Sequence, residues 1–169
     1  VAQKAIAAAA LVLAATATIA FAKTQARVPT ERCPSISILS DATRITQMNG
    51  TKIDLKAEIR DPALSCAVTG GTASSKLSFW VKSAIAPTSD IAPRSVPYFV
   101  AVIANGEVIA KEIFDLKLNF TADRMLKVKE SVAKIDIPLA EGKEAQDYSV
   151  TIGFQLTEAQ AEYNRTASR

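Results

Sequence analysis

The side chains with most to offer chemically in this 169-residue chain are two cysteines, Cys33 and Cys66, and 17 acidic residues; histidine is absent. Without an imidazole, the usual general base near neutral pH, neither a Ser-His-Asp nor a Cys-His arrangement can form, and zinc sites built on histidine are excluded too. Two thiols alone make a poor structural zinc site. The glycines sit singly or as Gly70-Gly71 at turn positions, so no glycine-rich phosphate loop is present. What is left for catalysis is a carboxylate pair of the glycoside-hydrolysing kind, with Asp54 and Glu58 or Asp115 as formal candidates. All three lie on the polar side of alternating runs, where a solvated carboxylate is the plainer reading. The expectation is a protein that is not an enzyme and uses no cofactor and no metal.

An even pair of cysteines in an oxidising compartment reads as one disulfide. A Cys33–Cys66 bridge would tie the entry of the first strand to the segment after Arg60-Asp61-Pro62, and closing that loop is worth roughly 3.5 kcal/mol by chain-entropy arithmetic. It requires the two Cα atoms to stand within about 7 Å. Lipid attachment at Cys33 is the competing use. It is disfavoured because Thr30-Glu31-Arg32 is polar and charged where a lipoprotein signal is small and apolar.

The compartment is argued from the N-terminus. Lys4 precedes an uncharged, alanine-rich run from Ala5 to Ala22 ending in Ala20-Phe21-Ala22, a small-x-small cleavage pattern, and polarity rises at once in Lys23-Thr24-Gln25. Residues 1–22 are expected to be a signal peptide, 23–34 a leader, 35–165 a single domain and 166–169 a frayed tail. The run is just long enough to span a bilayer at about 1.5 Å per residue, so a retained anchor is the alternative. Localisation in the periplasm or cell envelope follows, with membrane attachment only if the N-terminal segment is kept or lipidated.

The elements that would position these residues are mostly strands. Period-two alternation dominates, as in Ile53, Leu55, Ala57 and Ile59 against Asp54, Lys56 and Glu58, and again in Phe114, Leu116, Leu118 and Phe120 against Asp115, Lys117 and Asn119. Asn49-Gly50, Gly70-Gly71 and Asn105-Gly106 punctuate the runs as hairpin turns, and Asp61-Pro62 is expected to end a strand. Tyr98 to Ala104 is continuously apolar, as a central strand would be. Between 125 and 135, Met125, Val128, Val132 and Ile135 fit a helix face, whereas Ala133, Ile135 and Ile137 fit a strand with a β-bulge. The strand is favoured by Pro138 and Glu141-Gly142, which read as hairpin punctuation. Ala145-Gln146-Asp147-Tyr148 resembles the entry of a tyrosine corner. Thr157 and Gln160 form a capping box for a short final helix, with Leu156 and Ala161 as its staple. The fold class expected is mainly β: an immunoglobulin-like antiparallel β-sandwich with a short C-terminal helix.

Ala86 to Pro97 contains three prolines among polar residues and is expected to be the longest loop. Pro87, Asp90, Pro93, Arg94 and Pro97 are its candidate partner-contacting residues, against the plainer reading of a simple connection. Trp80, the only tryptophan, faces away from Leu77, Phe79 and Val81. It is read as packing against a leader or loop, or alternatively as a binding-surface aromatic. Net charge is only +3, and Arg124, Lys127, Lys129 and Lys134 alternate with Asp123, Glu130 and Asp136 as on a solvated face. That pattern predicts no nucleic-acid partner.

Several phrases, Cys33-Pro34-Ser35-Ile36-Ser37-Ile38-Leu39 with Asp41-Ala42, Pro97-Tyr98-Phe99-Val100-Ala101-Val102, Lys111-Glu112-Ile113-Phe114, and Gly153-Phe154-Gln155-Leu156-Thr157 with Tyr163-Asn164-Arg165, are spread over nearly all of the mature part. Together they resemble a group of small exported proteins and lipoproteins of alphaproteobacteria. The resemblance implies export and brings no reaction, ligand or binding residue; the chain departs from the lipoproteins by lacking a lipobox. The function expected is a non-enzymatic envelope or periplasmic module contacting an envelope protein through a loop or sheet edge. The alternative is a carrier of a small apolar ligand in an inter-sheet pocket lined by Phe99, Phe114 and Phe154.

Overall fold

The computed structural model describes residues 32–167. The expected signal peptide, most of the leader and the last two residues lie outside them. The described chain forms eight strands, β1 (Ser35–Ile38), β2 (Arg44–Asn49), β3 (Lys52–Thr69), β4 (Thr72–Ile85), β5 (Arg94–Ala104), β6 (Glu107–Leu118), β7 (Met125–Pro138) and β8 (Tyr148–Phe154), and one helix, α1 (Glu158–Ala167). They build two four-stranded sheets, ordered β1-β8-β5-β6 and β2-β3-β4-β7. All pairings are antiparallel except β1 with β8. This is the expected mainly-β sandwich with a short terminal helix. Its strand order is not the A-B-E-D and C-F-G division of an immunoglobulin constant domain, because three sequential strands here form a meander completed by β7.

Local chemistry explains the hairpins. Gly70 and Gly71 adopt φ of 57° and 75°, and Asn105 and Gly106 adopt 52° and 81°, the positive pairs that a type I′ turn needs. At Asn49-Gly50 the turn is displaced by one residue: Asn49 still pairs with Lys52, and positive φ is confined to Gly50. Asp61-Pro62 does not end its strand. Asp61 takes φ of 51° and the register with β4 shifts between Arg60 and Ala63, so the two residues form a bulge and β3 runs on through Cys66 to Thr69. The segment 125–135 is strand, and its apolar phase changes where the β4–β7 register shifts, pairing Leu77 with Val132 but Ser75 with Ile135. Glu141-Gly142 belongs to a crossover between the sheets and not to a hairpin, since β7 and β8 lie in different layers.

The inward faces close over one core in which Phe79, Phe154, Leu55, Ile59, Leu118 and Ile152 are almost fully buried. Tyr98 meets Phe79 edge-on and Phe114 face-on, with both centroids at 5.2 Å. Tyr148 enters β8 and its hydroxyl accepts a hydrogen bond from Ala140 N–H at 2.9 Å, fastening the preceding crossover. On the outer side of the first sheet a 3₁₀ turn at Ser40–Ala42 lies over Gly153, where Ala42, Phe99 and Ala101 form a small separate cluster.

The capping box of α1 forms as expected: Gln160 N–H donates to Thr157 Oγ1 and Thr157 N–H donates to Gln160 Oε1. The helix runs to Ala167, past the expected end near Arg165, with the Thr166 hydroxyl donating back to the carbonyls of Glu162 and Tyr163. It closes an edge of the second sheet. The Thr43 carbonyl accepts from Ile59 N–H, so the alternate carbonyls of Arg44 and Thr46 point away from β3. Asn164 Nδ2 donates to Arg44 O at 2.8 Å and Gln160 Nε2 to Thr46 O at 3.4 Å. Two side chains one helical turn apart thereby reach two carbonyls two strand residues apart.

Candidate functional site

The proline-bearing segment is shorter and more tightly held than its composition suggests. Arg94 begins β5 and Pro97 lies inside it opposite Asp115, leaving 86–93 as the connection. Pro97 is tolerated because its C=O accepts from Gln155 N just past the end of β8, so the missing N–H faces that side and not the β6 ladder. Arg94 turns inward. Its Nε is 2.9 Å from Asp54 Oδ2, and its terminal nitrogens donate to the carbonyls of Ala92 and Asp90. Arg124 holds the other side, donating to Ala86 O and Ser89 O at 2.9 and 2.6 Å. Of the five candidate residues, Pro87, Asp90 and Pro93 are exposed and Arg94 and Pro97 are partly buried.

The carboxylates that are formal candidates for catalysis are engaged elsewhere. The hydrogen bond from Arg94 is the main reason the Asp54 carboxyl is held below its ordinary range. Glu58 lies between Arg44 and Arg60, at 3.2 and 2.9 Å. Burial works to raise the Glu58 carboxyl, but the arginine hydrogen bonds and charges outweigh it and hold it low. Asp54 and Glu58 are four residues apart on one strand, roughly 13 Å, a longer separation than glycosidase pairs use. Asp115 is on the outside of the other sheet and accepts from Ser95 Oγ at 3.5 Å. Among the described residues no group of three or more potential ligands is placed to hold a metal ion.

The three phenylalanines of the expected ligand pocket do not line one cavity: Phe114 and Phe154 belong to the main core and Phe99 to a separate cluster. Phe154 is in the core, Phe114 stacks on Tyr98, and Phe99 sits on the outer face beneath the Lys111 ammonium at 4.5 Å. A cleft of about 310 Å³ opens where β6 and β7 part, lined by Val100, Val102, Glu112, Phe114, Lys134 and Ile135. Beside Phe114 the Tyr98 hydroxyl faces Glu130 at 3.4 Å, and burial, with that neighbouring carboxylate, pushes the phenol well above its ordinary range. Trp80 is half-buried on the outer face of the second sheet with Lys127 Nζ 4.3 Å from its ring. A lysine of the neighbouring strand thus covers its ring.

The disulfide is present: Cys33 and Cys66 are bonded, with Cα atoms 5.6 Å apart. It joins the approach to β1 in one sheet with the far half of β3 in the other.

The sheet edges differ sharply. β2 is capped by α1, β1 is only four residues long, and β7 presents exposed Lys127, Lys129 and Lys134 and a bulge, which are ordinary defences of an edge. β6 also carries exposed lysines, Lys111 and Lys117, and a register shift near its start, but no described element lies over it. Its register with β5 is unbroken over nine pairs, from Arg94↔Leu118 to Val102↔Ala110, and Val108, Ile109 and Ile113 are 59%, 52% and 56% exposed. The direction of its backbone groups follows from Pro97. Since Pro97 points toward β8, its partner Asp115 points away from β5, and so do Ile113 and Lys111. Their N–H and C=O groups face the open edge. The sequence carries a sign of this in the apolar run Val108-Ile109-Ala110, which breaks the alternation just after a hairpin turn.

No protein-family model, curated protein or solved structure matches the chain. Among the described residues no helix is long and apolar enough to cross a membrane.

Proposed function

We propose that the protein is a non-enzymatic module of the periplasm or cell envelope that binds an extended segment of a partner protein as an added strand along β6. The observation that carries the reading is the β6 edge, which no described element covers, with exposed Ile113 in its regular stretch beside outward backbone groups of Lys111, Ile113 and Asp115. Main-chain pairing supplies affinity in strand addition, and alternate side chains supply selectivity. The mixed charges Lys111, Glu112 and Asp115 favour a partner strand of alternating charge and apolar residues. A disulfide linking the two sheets supports the oxidising compartment.

Ile113→Pro tests the edge, because the Ile113 N–H is not used in the ladder with β5. Crosslinking from intact cells should capture a partner through wild-type β6 and lose it in Ile113→Pro, with the thermal midpoint nearly unchanged. Undiminished capture by the proline variant would refute strand addition here. The carrier of a small apolar ligand is the weaker reading, since Phe154 is sealed in the core with Phe114 packed against it, and Phe99 lies on the outer face of the sheet.

A further inference from the structure

Strand alternation sorts the charges of this chain in a way that the linear sequence conceals. In Lys127-Val128-Lys129-Glu130, the lysines point outward from the second sheet while Glu130 points inward to Tyr98. Across the same outer face, Arg44 lies beside Glu58, Glu58 beside Lys82 and Lys82 beside Lys127, while Arg60 lies beside Trp80 and Trp80 beside Lys129. Lys56 lies in the next row with Ala84 and Met125. From Arg60 to Met125 the described face holds six basic side chains and one acidic one, a net of +5 that exceeds the +3 of the whole chain. The one carboxylate, Glu58, is occupied by Arg44 and Arg60. Lys56, Lys82, Lys127 and Lys129 are exposed, and Trp80 holds the Lys127 ammonium over the face.

The face is not flat. Tyr163, Asn164 and Ala167 of α1 stand along one side and, with Arg44, Lys56, Lys82 and Met125, enclose a groove of about 510 Å³. We propose that this groove and the lysine rows beyond it bind a linear acidic polysaccharide. Like charges packed on adjoining strands, about 4.8 Å apart, repel one another unless a polyanion neutralises them. A sheet face presents side chains only, its backbone being paired within the sheet, so it recognises charge and not peptide backbone. The helical wall keeps a planar bilayer from Arg44 and Lys56 at its foot, whereas a narrow, flexible chain can lie against them. This reading is independent of strand addition at β6, which lies in the other sheet.

The test uses the oxidised protein and polygalacturonate as probe, with phosphatidylglycerol vesicles and single-stranded DNA as the other arms. Wild type should bind polygalacturonate with an affinity that falls steeply with salt, and the Lys56→Gln, Lys82→Gln, Lys127→Gln triple variant should lose about ten-fold and show a shallower salt slope. A control of equal charge change, Lys111→Gln, Lys117→Gln, Lys143→Gln, should stay within about two-fold of wild type. Thermal midpoints of both variants report that they are folded. The proposal is overturned if polygalacturonate does not bind, if the face variant keeps its affinity, if both variants lose equally, or if vesicles or DNA bind more tightly.

Discussion

Asp54 shows how one side chain can look catalytic in sequence and be architectural in the fold. It sits on the polar side of β3, yet it and Arg94 are largely enclosed, with side-chain exposures of 15% and 18%. Arg94 satisfies both Asp54 oxygens and the carbonyls of Asp90 and Ala92, so one guanidinium organises the connection between the sheets. Arg94→Ala should cost about 2 kcal/mol, since it leaves a partly buried carboxylate and loop carbonyls without their donor. The pH dependence has a definite sign. Because the folded Asp54 carboxyl titrates below its ordinary value of 3.8, its stabilisation is complete above that value and is lost as pH falls through the folded one. Urea unfolding should therefore separate wild type from Asp54→Asn at neutral pH, and the gap should close in strong acid. A gap that persisted there would mean the asparagine acts through packing and not charge. Glu58 is more exposed and its arginines reach into solvent, so the same substitution there should have a small effect.

Elements were legible where their chemistry is local. The hairpins at Gly70-Gly71 and Asn105-Gly106, the bulged strand at 125–138 and the capping box of α1 each depend on residues within a few positions, and each is found in the fold. What depends on distant partners was not legible. Asp61-Pro62 reads as a stop, but the pairing of β4 on both sides carries β3 through it as a bulge. The inward turn of Arg94 requires Asp54, 40 residues earlier, and the edge-capping role of Asn164 requires β2, 120 residues earlier. The β6 site was half legible: its apolar run is plain, but its place at an edge is a property of sheet order. Gly153 makes the same point from inside an element. It has ordinary strand conformation, so no turn calls for glycine, yet a Cβ there would stand 2.7 Å from Ala42 Cβ and 3.0 Å from the Phe99 ring. Gly153→Ala should push the 3₁₀ turn off the sheet and cost about 1–3 kcal/mol, read as a lowered urea midpoint. Relief by Phe99→Leu in the double variant would identify the clash as the cause.

At the scale of the whole molecule the question is what keeps the two sheets together. Most of the answer is the shared core, but the end at β1 has little of it. β1 is four residues long, its apolar side chains Ile36 and Ile38 are only half-buried, and it is held in parallel to β8 alone. Cys33 lies two positions before β1 and is bonded to Cys66 in the opposite sheet, 33 positions further along the chain. The bridge thus fixes the beginning of the weakest strand to one of the longest. Cys66→Ser should lower unfolding free energy by roughly 3.5 kcal/mol, the chain entropy released by opening that loop. Reductant should bring the wild type to the same value and leave the variant unmoved. The loss should also have a location. If β1 detaches when its tether is cut, β8 becomes an edge, and hydrogen exchange should quicken at Ser149–Ile152 well before it quickens in β3 and β4. Uniform acceleration across both sheets would instead make the bridge a global staple with no special duty at β1. Retained protection with unchanged stability would leave the shared core as the whole of the attachment.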